Sequence, residues 1–540
     1  MRLLSILILI AISTSAHAQV FTRADSLRGS ITPEREWWDL TYYHLKVEVM
    51  PNDKRIVGSN TIQYKVLKGR NEMQIDLQSP LKIIKVIQGD KELKFRSEGN
   101  VHFISLQEEQ KMDDIKELVV YYEGQPREAV RAPWDGGFSW KKDINNMDFI
   151  ATSCQGLGAS VWWPCKDHMY DEVDSMNISV EVPEHLTDVS NGQLIGVDHD
   201  KKKKTRTYHW AVKNPINNYG VNLNIGDYIN WKETYAGEKG DLEVSYWALR
   251  VDEEKARKQF KEVPRMLEAF EHWFGPYPFY EDGFKLVQAP YLGMEHQSSV
   301  TYGNGFQNGY LGRDLSSTGW GLKFDFIIVH ESGHEWFANN ITFKDMADMW
   351  VHESFTNYSE SLFLDYFFGK KAGQEYVRGT RTHIGNQKPM IGPYQVNYDG
   401  YPIDVYYKGG NMLNTLRTVV NDDKKWRGVL RGLGESFYHR TVTSNDIETF
   451  MASYLELNLE GFFDQYLRDK RLPTLEYYFK NNELYYRWTN ACKHFDMPID
   501  VELDGEFQRL YPTDRWSSLP SKTPILKVDP NYYISLLKSR

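Results

Sequence analysis

The sequence predicts a multidomain α+β fold with a β-rich N-terminal domain, a mainly helical central domain and a small C-terminal β domain. Three observations carry this expectation. At 540 residues the chain is too long for a single hydrophobic core. From about Trp37 to Leu249 the apolar residues alternate or run in short β-rich stretches bounded by turn residues. Near Val251 the spacing becomes helical, and from about Leu475 short β-rich pieces return. The expected divisions are residues 1–18, 19–249, 250–472 and 473–540.

The first residues carry a targeting pattern. Arg2 is followed by an apolar run, Leu3 to Ile12, which is too short to span a bilayer. Ala16 and Ala18 place small residues where a signal peptidase reads. Residues 1–18 are therefore expected to be a signal peptide, with export to the periplasm or beyond the cell. No later apolar run is long enough to span a membrane, so no stable membrane insertion is expected.

Within 19–249 the segments YYHLKVEVM, NTIQYKV, NMDFIAT, SMNISVEV and TRTYHWAV each read as a strand. Lys201 to Lys204 fall between two of them and read as a solvated hairpin tip rather than a binding patch. DEEKARKQFKEVPRMLEAFEHWFG reads as a helix stopped by Gly275 and Pro276. LKFDFIIVHESGHEWFANN and VHESFTNYSESLFLDYFFG read as two further helices. NMLNTLRTVV, RGVLRGLGESFYH and DIETFMASYLEL continue the helical texture before EYYF, ELYYRW and IDVEL bring strands back.

Apolar residues make up 41% and charged residues 26%, an ordinary globular balance. The net charge of −10 gives no electrostatic footprint for nucleic acid and favours cationic substrates. Cys154, Cys165 and Cys492 are the three cysteines. Export permits a Cys154–Cys165 disulfide, but the expectation is of free, buried thiols.

The chemistry concentrates in IIVHESGHEWFANN. His330 and His334 lie four apart, so on a helix both imidazoles can meet one ion. Glu331 projects beside that ion, where a carboxylate can take a proton from water. A catalytic zinc needs a third protein ligand. Glu353, after eighteen intervening residues, starts the next expected helix and can supply it. Glu360, two turns further on, can hydrogen-bond the far nitrogen of a ligand histidine.

VHESGHEWFANNIT followed by MWVHESFTNYSE resembles the gluzincin aminopeptidases, the zinc family that includes alanyl aminopeptidases and leukotriene hydrolase. Trp336 and Trp350 stand where that family commonly has tryptophan. The resemblance implies a thermolysin-like catalytic domain and a small C-terminal β-sandwich. It also implies one zinc per chain on His330, His334 and Glu353, with Glu331 as general base. YLGMEHQSSVTY resembles the family's G-x-M-E-N motif at Gly293, Met294 and Glu295, with Leu292 and His296 as departures. That match implies that Glu295 binds the free amino group of a peptide. TSCQGLGASVWWPCKDH resembles the segment supplying a second amine contact, here Gln155. VYYKGGNML resembles the family's Y-x-K-G motif and implies Tyr406, with Tyr407 as its variable neighbour, as donor to the oxyanion.

The activity implied is removal of N-terminal residues from peptides with a free amine. Larger members continue into a helical C-terminal domain that covers the cleft. The resemblance here ends about seventy residues after the catalytic domain, which implies either an open cleft or one covered in a homodimer. The rival readings are an endopeptidase, an epoxide hydrolase and a non-catalytic peptide-binding relative.

Overall fold

The structure, a computed structural model, describes residues 20–398 and 400–539. The expected signal segment lies outside the described residues. Strands Trp38–Met50 and Arg55–Val66 bury alternate side chains, as the period of two requires. They pair antiparallel, and Trp38–Met50 also pairs in parallel with Ser175–Pro183 at the centre of a ten-stranded sheet. A four-stranded sheet contains Gly137–Lys142 and Asp148–Ser153. Trp37, Trp162 and Trp163 are fully buried in the core of this domain. Lys201 to Lys204 form an exposed turn between paired strands Gln193–Asp200 and Thr205–Val212, as expected.

Strands on either side of the expected boundary at 249/250 share one sheet. Tyr228–Gly237 and Gly240–Leu249 form a hairpin in a five-stranded sheet with Phe284–Gln288, Val300–Tyr302 and Gly293–Met294. Leu242, Val244, Tyr246 and Ala248 belong to the core of the central unit. Trp247 and Leu249 of the same strand belong to the N-terminal core. Periodicity identifies a strand but does not say which sheet it joins.

The first expected helix is two, Glu253–Gln259 and Glu262–Phe274, broken at Phe260 and Lys261. Pro264 then sits in the first turn of the second helix, where a missing N–H is harmless. Gly275 ends it at a φ of 94°. The helix Phe326–Gly333 is shorter than the pattern suggests. Asp325 caps its start by accepting from Ile327 N and Ile328 N. After it, Glu335–Asn340 make a wide turn in which Phe337 and Ala338 leave helical geometry. Helix Trp350–Phe368 follows, then Asp404–Val420, Asp423–Ser436 and Ser444–Leu455.

The C-terminal strands form a four-stranded and a three-stranded sheet. Their core residues Leu475, Leu484 and Trp488 are continuous with the central core. All three cysteines are free; Cys154 and Cys165 are buried, whereas Cys492 is only half-buried. Among the described residues, no helix is long and apolar enough to cross a membrane.

The N-terminal segment is tied down by Arg35, whose side chain is wholly buried. Its Nη2 donates to Asp76 Oδ2 at 2.7 Å, and its Nη1 donates to Arg28 O and Ser30 O, each at 2.9 Å. Removing one partner of a buried pair strands the other's charge. Arg35→Met should lower stability by about 3–5 kcal/mol in urea unfolding, and a loss under about 1 kcal/mol would contradict this role.

Candidate metal centre

The helices Phe326–Gly333 and Trp350–Phe368 meet in opposite senses. His330 faces Glu360 near the far end of the contact, and His334 faces Glu353 and Thr356. His334 Nε2 lies 3.4 Å from Glu353 Oε2, and His330 Nε2 lies 3.8 Å from the same oxygen. A tetrahedral zinc with bonds of about 2.0–2.1 Å separates its ligand atoms by roughly 3.3–3.4 Å. The arrangement is thus close to the required size. Glu353 Oε2 is buried and accepts no hydrogen bond, although it faces both nitrogens. A cation between the three atoms would satisfy it, so these residues fit a bound metal ion.

The far nitrogens are already held. His330 Nδ1 lies 2.8 Å from Glu360 Oε1. Glu360 itself accepts from Tyr376 OH at 2.6 Å and Asn357 Nδ2 at 3.1 Å. His334 Nδ1 lies 3.0 Å from both Phe337 O and Thr356 Oγ1. Phe337 reaches this place because the backbone leaves helical geometry there. With Nδ1 held as a donor, each ring presents Nε2 as the acceptor that a metal needs.

Electrostatics favour positive charge at this point. Burial opposes a charge on His330, but the neighbouring carboxylates of Glu353 and Glu360 lift its pKa well above the usual range. Burial also opposes charge on His334, and Glu353 and Glu295 raise its pKa. Burial opposes ionisation of Glu353 too, yet the two histidines hold it below the carboxylate range. Burial pushes Glu331 up to about 7. A metal must displace the histidine protons to bind.

Ligand atoms of Glu295, Glu331 and His334 lie within 4.8 Å of one another. The short strand Gly293–Met294 sets this spacing by pairing with Tyr302 and Thr301. A Cβ on Gly293 would lie 2.9 Å from Glu331 Oε1 and 2.7 Å from Ile327 Cγ2, so the position admits no side chain. Met294 is buried in the N-terminal core. Glu295 is buried, which raises its pKa, and its Oε1 accepts from Gln155 Nε2 at 2.6 Å and Tyr219 OH at 3.1 Å. Asn339 Nδ2 holds the Glu295 carbonyl at 2.9 Å. Of the two departures, Leu292 packs half-buried on the central core. His296 is fully buried, and burial depresses its pKa to about 3, so it is neutral.

Tyr406 lies in the first turn of Asp404–Val420 and donates to Glu353 Oε1 at 3.0 Å. Its ring stacks on His330. Burial, then the charge of Glu353, keeps its hydroxyl protonated far above the usual range. Tyr407 turns away to pack on His383. The structure thus gathers His330, Glu331, His334, Glu353, Glu295, Gln155 and Tyr406 at one point. Sequence reasoning missed Tyr219, Thr356 and Tyr376. Tyr219 lies in NPINNYGVNLNIGDY, whose turn residues mark a tight bend but not its neighbour.

The model of the peptidase family M1 domain matches residues 259–466, and that of the peptidase M1 N-terminal domain matches residues 40–219. Mouse endoplasmic reticulum aminopeptidase 1 is 24% identical over 54% of this chain and 32% of its own length. Mouse aminopeptidase B is 24% identical over 60% of this chain and 50% of its own length. The matched part thus spans a third to a half of these curated relatives. An M1 zinc metallopeptidase from Deinococcus radiodurans, a mutant bound to a Tyr-Ser-Ala substrate, superposes with a TM-score of 0.67 at 18% identity. It covers 81% of this chain and 96% of that one. A two-domain M1 zinc metallopeptidase mutant bound to L-tryptophan gives 0.64 at 18% identity, covering 79% and 94%. At these identities the superpositions speak for the fold.

Two outcomes follow for metal binding. Glu360→Ala frees His330 Nδ1 and should weaken zinc binding about 10–100-fold in equilibrium dialysis, whereas a change under about twofold would remove Glu360 from the site. Because protons compete for the two histidines, zinc affinity should rise with pH through the histidine titration; a pH-independent affinity would contradict the site.

Proposed function

The chain belongs to peptidase family M1 through both of its matched domains, and we propose that it is a zinc aminopeptidase acting on peptides with a free N-terminus. The observation that carries this reading is the position of Glu295. A buried carboxylate within 4.8 Å of the Glu331 carboxylate and His334 leaves about one residue's length between an anchored amine and the reacting carbonyl. Only the first peptide bond then reaches the centre.

His330, His334 and Glu353 would hold the zinc, which supplies Lewis acidity toward water and the scissile carbonyl. Glu331 accepts a proton from the attacking water and delivers it to the leaving nitrogen. A pKa near 7 suits a group that must both take and give a proton. Tyr406, held protonated, donates to the oxyanion as charge develops on the carbonyl oxygen. Glu295 accepts from the substrate ammonium, a charge-assisted contact. Gln155 and Tyr219 keep that carboxylate aimed. Export, within the same proposal, rests on residues 1–18, and sequencing of the mature N-terminus tests it: Gln19 is the expected first residue.

The test uses the zinc-loaded enzyme and paired peptides, one free and one N-acetylated. Cleavage should require the free amine, and rapid cleavage of the acetylated peptide would overturn the reading. Glu331→Gln should retain zinc and lose about 10²–10⁴-fold in kcat. Tyr406→Phe should lose about 10²–10³-fold in kcat with little change in KM, and near-normal turnover in either variant would remove that residue's role.

A further inference from the structure

Residues 190–192 join strands Thr187–Val189 and Gln193–Asp200 of the N-terminal domain. Asn191, at the middle of this loop, is fully buried. Its Nδ2 donates to Gly220 O and to Gln297 O, each at 2.7 Å, and its Oδ1 accepts from Asn222 N at 2.9 Å. Gly220 follows Tyr219 in the turn Asn218–Gly220, and Gln297 lies just beyond Glu295 and His296. One amide thus holds the backbone beside both of the residues that meet in the 3.1 Å hydrogen bond from Tyr219 OH to Glu295 Oε1.

These contacts close a ring. From Glu295 Oε1 the path runs through Tyr219 to Gly220 O, across the Asn191 amide to Gln297 O, and back along the chain to Glu295. The chain after Glu295 doubles back in a tight turn, with Ser299 N donating to His296 O at 3.0 Å and Ser298 at a φ of 53°. Gly192 grips the same turn, its N donating to Ser298 Oγ at 2.9 Å, and Lys285 Nζ donates to the Gly192 carbonyl. Two other amides join the turns directly: Gln297 Nε2 donates to Pro215 O at 2.9 Å, and Asn222 Nδ2 donates to Ser299 O at 3.3 Å. Each of these leaves its own side-chain oxygen buried without a partner. Asn191 differs from both, because its oxygen and both of its N–H groups are engaged. Only a carboxamide in this orientation offers donors to two carbonyls and an acceptor to an N–H; flipped, its oxygen would face both carbonyls.

We infer that Asn191 is a positioning residue for the substrate's amine: it sets the Glu295 carboxylate and the Tyr219 hydroxyl against each other before substrate arrives, and so fixes where the ammonium sits. This inference rests on the amine-anchoring reading of Glu295. A carboxylate whose backbone and whose hydrogen-bond donor are held by one amide meets the ammonium without reorganising, and a looser turn forfeits that advantage. The effect is confined to the amine, because the partners of Asn191 are Gly220, Gln297 and Asn222 and include none of the residues that would hold zinc.

The test measures inhibition constants of two hydroxamates on the zinc-loaded full chain, one of L-leucine and one of 4-methylpentanoic acid, which lacks the amine. Both carry the same metal-binding group, so the ratio of their constants isolates what the amine contributes. Wild type should favour the leucine compound. Asn191→Ser should cut that preference about tenfold while changing the affinity of the amine-free compound by less than about twofold. Asn191→Asp, which keeps the shape without the donors, carries the same expectation and serves if thermal melting shows that the serine variant does not fold. Its added negative charge would by itself attract the amine, so a fall in preference reports lost position. Tyr219→Phe should also lower the preference, and combining it with Asn191→Ser should lower it little further, because both act on one hydrogen bond. An unchanged preference in the Asn191 variants, an equal loss for both compounds, or losses that multiply in the double variant would overturn the role of Asn191. Equal binding of the two compounds by wild type would overturn the amine-anchoring reading itself, and this inference with it.

Discussion

Everything at the centre of this protein depends on burying four carboxylates beside two imidazoles. Glu295, Glu331, Glu353 and Glu360 are all withdrawn from water within one small volume. Like charges at that separation cannot all ionise without a cation among them. The histidine protons fill that role when no metal is bound, which is why both imidazole pKa values rise. A divalent ion does so with more charge in the same space. The surrounding fold holds the acids together: two helices, one short strand and one loop end converge there.

The zinc-ligand geometry was legible because it obeys one short-range rule. A spacing of four residues on a helix, and a third residue at the start of the next, leaves few alternatives. Glu360 was legible for the same reason. The pair across the domain seam was different in kind. Glu295 and Gln155 belong to separate domains and touch across 140 positions of sequence. No periodicity predicts such a contact, and only the resemblance named them. Tyr406 was separable from Tyr407 by motif register alone, and the structure turns the second ring elsewhere. Tyr219 stayed hidden because a turn pattern describes the chain's path, not what its side chain meets.

The expected length of the helix bearing His330 failed for an identifiable reason. The helix ends at Gly333, and where the backbone leaves helical geometry at Phe337 and Ala338 the Phe337 carbonyl is free to meet His334 Nδ1. Helical spacing in the sequence continues past that point and cannot report the break. Near the expected division at 249/250, the end of strand Gly240–Leu249 is buried on both faces: Tyr246 and Ala248 enter the central core, Trp247 and Leu249 the N-terminal one. The departures at Leu292 and His296 leave Glu295 in place: Leu292 packs on the central core, while His296 is enclosed and neutral.

That doubly buried strand gives the molecule a particular mechanical character. Domains joined by a linker open and close about it, and their clefts breathe. Here the seam is the end of a β-strand where Trp247 and Leu249 enter one core and Tyr246 and Ala248 the other, so parting the two domains would expose both. The Gln155–Glu295 contact spans that same seam. The spacing of Gln155 and Glu295 is a built dimension, fixed like the gap of a calliper whose jaws have been pinned.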